Sequence, residues 1–167
     1  MIINIVETHE VNSEAEALKV TMGFLEKGLE GSVLKDKTLG FRNCTSNQQL
    51  KIKLQIEGTF KITGFTEGTV GTSREQTFGA MMFETDDGLV KGQTSGFTDD
   101  ELQDFNGRRE ELIGTYCDIE FNDLSLASGS TTWALSHPRF LGLRPDKTES
   151  DTLKRLKETI NMARGIS

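Results

Sequence analysis

Apolar and polar residues alternate in short runs along most of this chain, and in three stretches the spacing lengthens to the period of a helix. Ile2 to Val6 is β-branched and predicts a strand. Asn12 or Ser13 is placed to cap a helix, with Ser13 and Glu16 at capping-box spacing. Ala17, Val20, Met22, Phe24 and Leu25 supply its apolar stripe, and Gly28 is its expected stop. Leu29 to Lys35 and Leu50 to Ile56 then have strand character, joined by a polar loop containing Gly40, Asn43 and Asn47.

From Glu57 the texture becomes a run of strands with glycine-marked turns: Thr59 to Phe65, Thr77 to Glu84 and Leu89 to Gln93. Thr98 opens a helix whose first turn carries Asp99, Asp100 and Glu101, where the helix dipole favours negative charge. Two strands follow, Thr115 to Phe121 and Thr131 to Ser136. Three strands, a helix and two strands is the order of an OB-fold barrel, and a generic small β-barrel fits the same order. Asp151 to Ala163 forms a last amphipathic helix with Leu153, Leu156, Ile160 and Ala163 on one side. The expected fold class is α+β, mostly β.

The chain's 167 residues allow one ordinary domain, or one small domain with a piece of another. Its 17 glycines and 2 prolines fit strands and turns better than a helical bundle. With 19 basic against 26 acidic residues the net charge is -7, so contact with a phosphate backbone requires a local cationic patch. Cys44 and Cys117 share no metal-ligand spacing. The first fifteen residues lack a basic n-region and no apolar run reaches membrane length. A cytoplasmic protein with no membrane partner is expected.

Three clusters carry candidate chemistry. In Glu30-Gly31-Ser32-Val33-Leu34-Lys35, a carboxylate at a strand start stands beside a glycine that permits close backbone approach, which suits a hydrated divalent cation or a ribose hydroxyl. A surface carboxylate and a lysine flanking a half-buried strand satisfy the same pattern. In Lys51-Ile52-Lys53 both ammonium groups project to one side of a strand, a small cationic field suited to an α-phosphate or to plain solvation. In Arg144-Pro145-Asp146-Lys147 a forked donor, an acceptor and a point charge come together. These can grip phosphate oxygens, or form a polar turn held by Asp146 pairing with Arg144.

Taken in order, an EGxVxK strand, a KxK strand about sixteen residues later and an RxDK turn at the end of an OB-like region resemble the last three signature motifs of the covalent nucleotidyltransferase superfamily. The resemblance is specifically to ATP-dependent DNA ligases of the bacteriophage and eukaryotic type, and FLEKGLEGSVLKD resembles the matching helix and strand of phage ligases. It implies a C-terminal piece of an adenylation domain over residues 1–56, an OB-fold domain over 57–147 and a helical tail over 148–167. It further implies ATP (as AMP) and Mg2+ as cofactors, with nick sealing in DNA replication, repair or recombination.

Carried over by motif, Glu30 lies near the ribose and the metal, and Lys35, Lys51 and Lys53 belong to the nucleotide site. Lys51 and Lys53 engage the α-phosphate, and Arg144, Asp146 and Lys147 meet the outer phosphates. The implied partners are nicked duplex DNA and an N-terminal ligase polypeptide that carries the nucleophilic lysine, in the host cytoplasm if the chain is phage-encoded. The nucleophile's KxDG sequence is absent, Lys35-Asp36-Lys37 being the nearest stretch, so the chain alone should not adenylylate itself. Thr45 and Gln49 replace the arginine and aromatic usual before the paired lysines, and Gly142 replaces a usual arginine. The alternative readings are a non-catalytic OB module that binds nucleic acid or protein, and a fragment of an RNA ligase or capping-type nucleotidyltransferase.

Overall fold

The computed structural model describes residues 6–38, 40, 49–72 and 74–166. The chain divides into two compact units, one running through Leu54 and taking in the residues from Arg164, the other Gln55–Ala163.

The first unit contains helix α1 (Glu14–Glu26) and an antiparallel pair, β1 (Gly31–Lys35) with β2 (Gln49–Lys53). The Ser13 hydroxyl accepts from the Glu16 N–H at 3.2 Å, while the Glu16 carboxylate accepts from the Asn12 N–H at 2.7 Å, one residue before the reciprocal bond of a full capping box. At the other end Gly28 takes φ +78°, and the N–H groups of Gly28 and Leu29 reach the carbonyls of Leu25 and Phe24. That is the left-handed stop expected there.

The inward face of α1 is Ala17, Thr21 and Leu25, whereas Met22, expected inside, is 40% exposed. Thr21 displaces it because its hydroxyl is satisfied twice, by the Ala17 carbonyl at 2.8 Å and by the Ser32 hydroxyl on β1 at 2.6 Å. The strand expected at Ile2 to Val6 lies outside the described residues apart from Val6, which has no regular structure. The loop positions Asn43 and Asn47 also lie outside them.

The second unit is built from β3 (Ile56–Glu67), β4 (Phe78–Glu84), β5 (Lys91–Thr94), α2 (Asp99–Gly107), α3 (Arg109–Leu112), β6 (Tyr116–Phe121), β7 (Asp123–Leu126), β8 (Trp133–Ser136), β9 (Arg139–Leu143) and α4 (Leu153–Ala163). Five strands form an antiparallel sheet in the order β5-β4-β3-β6-β9. Its two edges meet: Ser95, just past β5, makes a parallel bridge to Arg139, and the Phe140 N–H donates to the Ser95 carbonyl at 3.0 Å. This closure, with one parallel contact between the third and fifth strands, is the OB-fold arrangement.

One expected strand has a different role. Thr131 to Ser136 falls on β8, which pairs with β7 in an added hairpin, and the fifth barrel strand is Arg139–Leu143. Both segments place one buried apolar side chain between more exposed neighbours, Leu135 in one and Phe140 in the other. Only pairing with β6 distinguishes them, and such pairing is not a local property of sequence.

The barrel core is aromatic. Phe60, Phe78, Phe83 and Phe121 are fully buried with Ile62, Met81 and Ile119, each such side chain contributing about 1.5–3 kcal/mol. Phe97 stacks on Phe78 and Phe140 at 5.0 and 4.9 Å, joining this core to Phe105 of α2. The N–H of Thr98 and the carboxylate of Glu101 complete a capping box at the start of α2. Helix α4 buries Leu156 and Ile160 and packs on β3, where Gly58 leaves room for it: a Cβ there would stand 2.7 Å from Leu156 Cδ2. Its first N–H, on Leu153, donates to Asp87 from the β4–β5 turn at 3.0 Å. Cys117 is buried as a free thiol, and burial pushes its pKa up to about 12; Cys44 lies outside the described residues. Among the described residues no helix is long and apolar enough to cross a membrane.

Candidate functional site

In the first unit, β1 and β2 pair so that Gly31 stands opposite Lys53, Val33 opposite Lys51 and Lys35 opposite Gln49. Directly opposed residues of an antiparallel pair share a face. The Thr21–Ser32 hydrogen bond turns the other face, with Ser32 and Ile52, toward α1. Lys35, Lys51 and Lys53 therefore lie together on the face directed away from the helix.

Glu30, immediately before β1, forms an ion pair with Lys53. Alternation alone places Glu30 on the face opposite Lys35, and the reason it reaches Lys53 is Gly31. That residue takes φ +145°, and a Cβ on it would overlap the Ile52 carbonyl oxygen. A glycine is required for the two backbones to approach and for the chain to leave the regular pleat there. Lys51 is exposed and makes no ion pair among the described residues, so its charge is available to a ligand. Gln49 begins β2, and Thr45 lies outside the described residues.

In the second unit Arg144 follows β9 directly, its N–H donating to the Tyr116 carbonyl at 2.8 Å. The guanidinium is engaged on two sides. Nε and Nη2 donate to the two carboxylate oxygens of Asp146 at 2.9 and 2.7 Å, and Nη1 donates to Asp118 on β6 at 2.6 Å. The Arg144 fork holds the Asp146 carboxyl well below its ordinary 3.8, down to about 2. In turn the two carboxylates, Asp146 first, raise the pKa of Arg144. Lys147 closes the turn by donating its N–H to the Arg144 carbonyl at 3.1 Å and makes no ion pair among the described residues.

Asp118 was not singled out by its sequence. It stands opposite Gly142, where a Cβ would meet nothing within 4 Å, and it also accepts from the Thr59 hydroxyl at 2.6 Å. The Thr59 N–H donates to Asp151, which pairs with Arg155 on α4 at 3.0 Å. A hydrogen-bonded chain thus runs from α4 through Thr59 and Asp118 to Arg144. The only trace of it in the sequence is a polar residue at Asp118 between buried Cys117 and Ile119, which reads as ordinary alternation.

Among the described residues no group of three or more histidine, cysteine or acidic side chains could hold a metal ion. Glu30 is a single carboxylate, which fits Mg2+ only as an ion shared with substrate phosphates and water. The two clusters can each present positive charge to phosphate oxygens, one on a flat strand pair and one on a turn at the end of a barrel strand.

No protein-family profile and no curated protein matches the chain. Solved structures do. Pmar-Lig_PreS3 matches over 78% of this chain and 31% of its own, at 25% identity with a TM-score of 0.72. The related Pmar-Lig_Pre. matches over 79% and 31%, at 26% identity and a TM-score of 0.71. A structure described as DNA binding with a minimal scaffold, from the Lig E DNA ligases, matches over 81% of this chain and 48% of its own, at 19% identity and a TM-score of 0.64. This chain accordingly spans between about a third and a half of the length of those proteins. With its strand pair, closed OB barrel and following helix, the chain has the fold of the C-terminal part of DNA ligases.

Proposed function

We propose that this chain is the C-terminal part of an ATP-dependent DNA ligase that seals nicks in duplex DNA, working with an N-terminal polypeptide that supplies the lysine nucleophile. The observation that carries the proposal is the cationic face of β1 and β2. Three lysines share that face with Glu30 at its edge, on a fold shared with DNA ligases.

In this reading Lys51 and Lys53 neutralise the α-phosphate while the nucleophile attacks it, and Lys35 extends the same field. The contribution is charge stabilisation at a site that needs no rearrangement during the step. Glu30 orients Lys53 and stands where a ribose hydroxyl or a phosphate-bound Mg2+ would be met. Mg2+ would supply further neutralisation of the phosphates. On the OB unit Lys147 and Arg144 stabilise the outer phosphates as pyrophosphate departs, with Asp118 setting the position of Arg144. The barrel unit then contacts the nicked duplex.

The test combines this chain with an N-terminal ligase polypeptide bearing a KxDG lysine, ATP, Mg2+ and a nicked duplex. Sealing is expected with the wild-type chain and a drop of at least about a hundredfold with Lys51→Ala, in line with loss of one oxyanion-type donor. Absence of sealing with both parts folded contradicts the proposal. The filled guanidinium of Arg144 favours a second reading, an OB module that binds without catalysing. Such a module would keep its DNA affinity when Lys51 and Lys53 are both changed to alanine.

A further inference from the structure

Arginine binds phosphate most strongly when two parallel N–H groups meet two oxygens, and Arg144 has one such edge in Nε and Nη2. Asp146 occupies both of those donors. Its neighbouring edge is also compromised, because Nη1 is given to Asp118. A phosphate cannot take a bidentate position on Arg144 while Asp146 stays in place.

The two carboxylates are held very differently. Asp118 is 20% exposed, sits within paired strand β6, and is bonded to Thr59 as well as to Arg144. Asp146 is 61% exposed, lies on the turn after β9, and among the described residues its carboxylate bonds no side chain other than Arg144. One is a fixed mount and the other a removable occupant.

We propose that Asp146 is a built-in plug of the Arg144 fork, standing where a phosphate of a polyphosphate anion binds and leaving when that anion arrives. The inference rests on the reading of the RPDK turn as a phosphate-contacting element and adds its regulation. An anion with several charges displaces Asp146, because Lys147 beside it adds attraction for the ligand. A single weakly charged group does not. The plug thereby keeps the OB unit from holding stray anions and reserves Arg144 for a ligand that brings enough charge.

The test titrates the whole chain with sodium tripolyphosphate and, separately, with pyrophosphate, following the Arg144 Nε–H resonance and the dissociation constant. Asp146→Ala is expected to bind the better of the two anions about tenfold more tightly than wild type, the scale of one bidentate charge-assisted contact. The double change Arg144→Ala with Asp146→Ala should remove that gain. Asp100→Ala on α2 alters net charge equally and should leave affinity unchanged. Tightening toward tripolyphosphate names a nucleotide tail as the ligand, and tightening toward pyrophosphate names the leaving group. If wild type binds and Arg144→Ala weakens it while Asp146→Ala does not tighten it, the plug is overturned and the phosphate role of Arg144 stands. If no variant binds either anion, both are overturned.

Discussion

Lys53 and Arg144 are both cations at the end of a short strand with a carboxylate beside them, yet they are held by frameworks of very different strength. Lys53 ends β2, one of two strands among the described residues of its unit, and Glu30 meets it from a position 68% exposed. Arg144 directly follows the last strand of a closed barrel, and its guanidinium is held by Asp118 from one neighbouring strand and by Asp146 from its own turn. The first unit carries many exposed apolar side chains on this small frame, among them Leu18, Val33 and Leu50 at 47%, 50% and 60%. In the second the core is closed by aromatic contacts. The contrast teaches that a site can take its geometry from one backbone constraint or from several redundant ones, and that the two respond differently to damage.

Gly31 is the backbone constraint that brings Glu30 to Lys53 in the first region. Gly31→Ala forces a methyl against the Ile52 carbonyl and a side chain into positive φ, at a cost on the order of 3 kcal/mol or more. Amide exchange protection across β1 and β2 is expected to disappear, and its survival would show that the pair has another anchor. The matching change in the barrel, Gly58→Ala, meets the movable end of Leu156, so about 1–3 kcal/mol should appear as a lower denaturation midpoint.

Asp118→Ala comes next. It leaves Arg144 Nη1 and the Thr59 hydroxyl without their acceptor in a half-buried place, costing about 2 kcal/mol by chemical denaturation. Glu30→Gln should cost less than about 1 kcal/mol, because its pair with Lys53 is open to solvent. A loss in Glu30→Gln as large as in Asp118→Ala would erase the distinction between the two regions.

The smallest effect is a pH dependence. The folded pKa of Asp146, about 2, lies below its ordinary 3.8, so its pairing stabilises the fold fully above about pH 4 and is lost as pH falls through about 2. An acid titration of the denaturation midpoint should show that portion of the decline in wild type and lack it in Asp146→Asn.

Much of this was legible from residue order, and what was not has definite causes. Ser13, Gly28 and Thr98 mark helix ends by local hydrogen bonding, which short-range sequence encodes, and each acts where expected. Glycine at 31 and the lysines at 51 and 53 likewise belong to local strand geometry. The exchange of β8 for β9 was not legible, because Leu135 and Phe140 offer the same alternation and strand pairing decides between them. Thr21 lies outside the apolar stripe that the spacing predicts, yet Ser32, eleven residues on, satisfies it inside. Asp118 was invisible for the same reason: its partners Thr59 and Arg144 are 59 and 26 residues away. Local signals located the cations, and long-range pairing determined which of them are free.

The central claim of the proposed function is that Lys51 and Lys147, each without an ion pair among the described residues, act on one triphosphate. A double-mutant cycle on the rate of enzyme adenylylation, in the ligase completed by its N-terminal polypeptide, measures this directly. A coupling energy above about 0.5 kcal/mol between Lys51→Ala and Lys147→Ala is the expected result, as for residues that share a ligand. Strictly additive losses, or no loss from Lys147→Ala, would contradict the account.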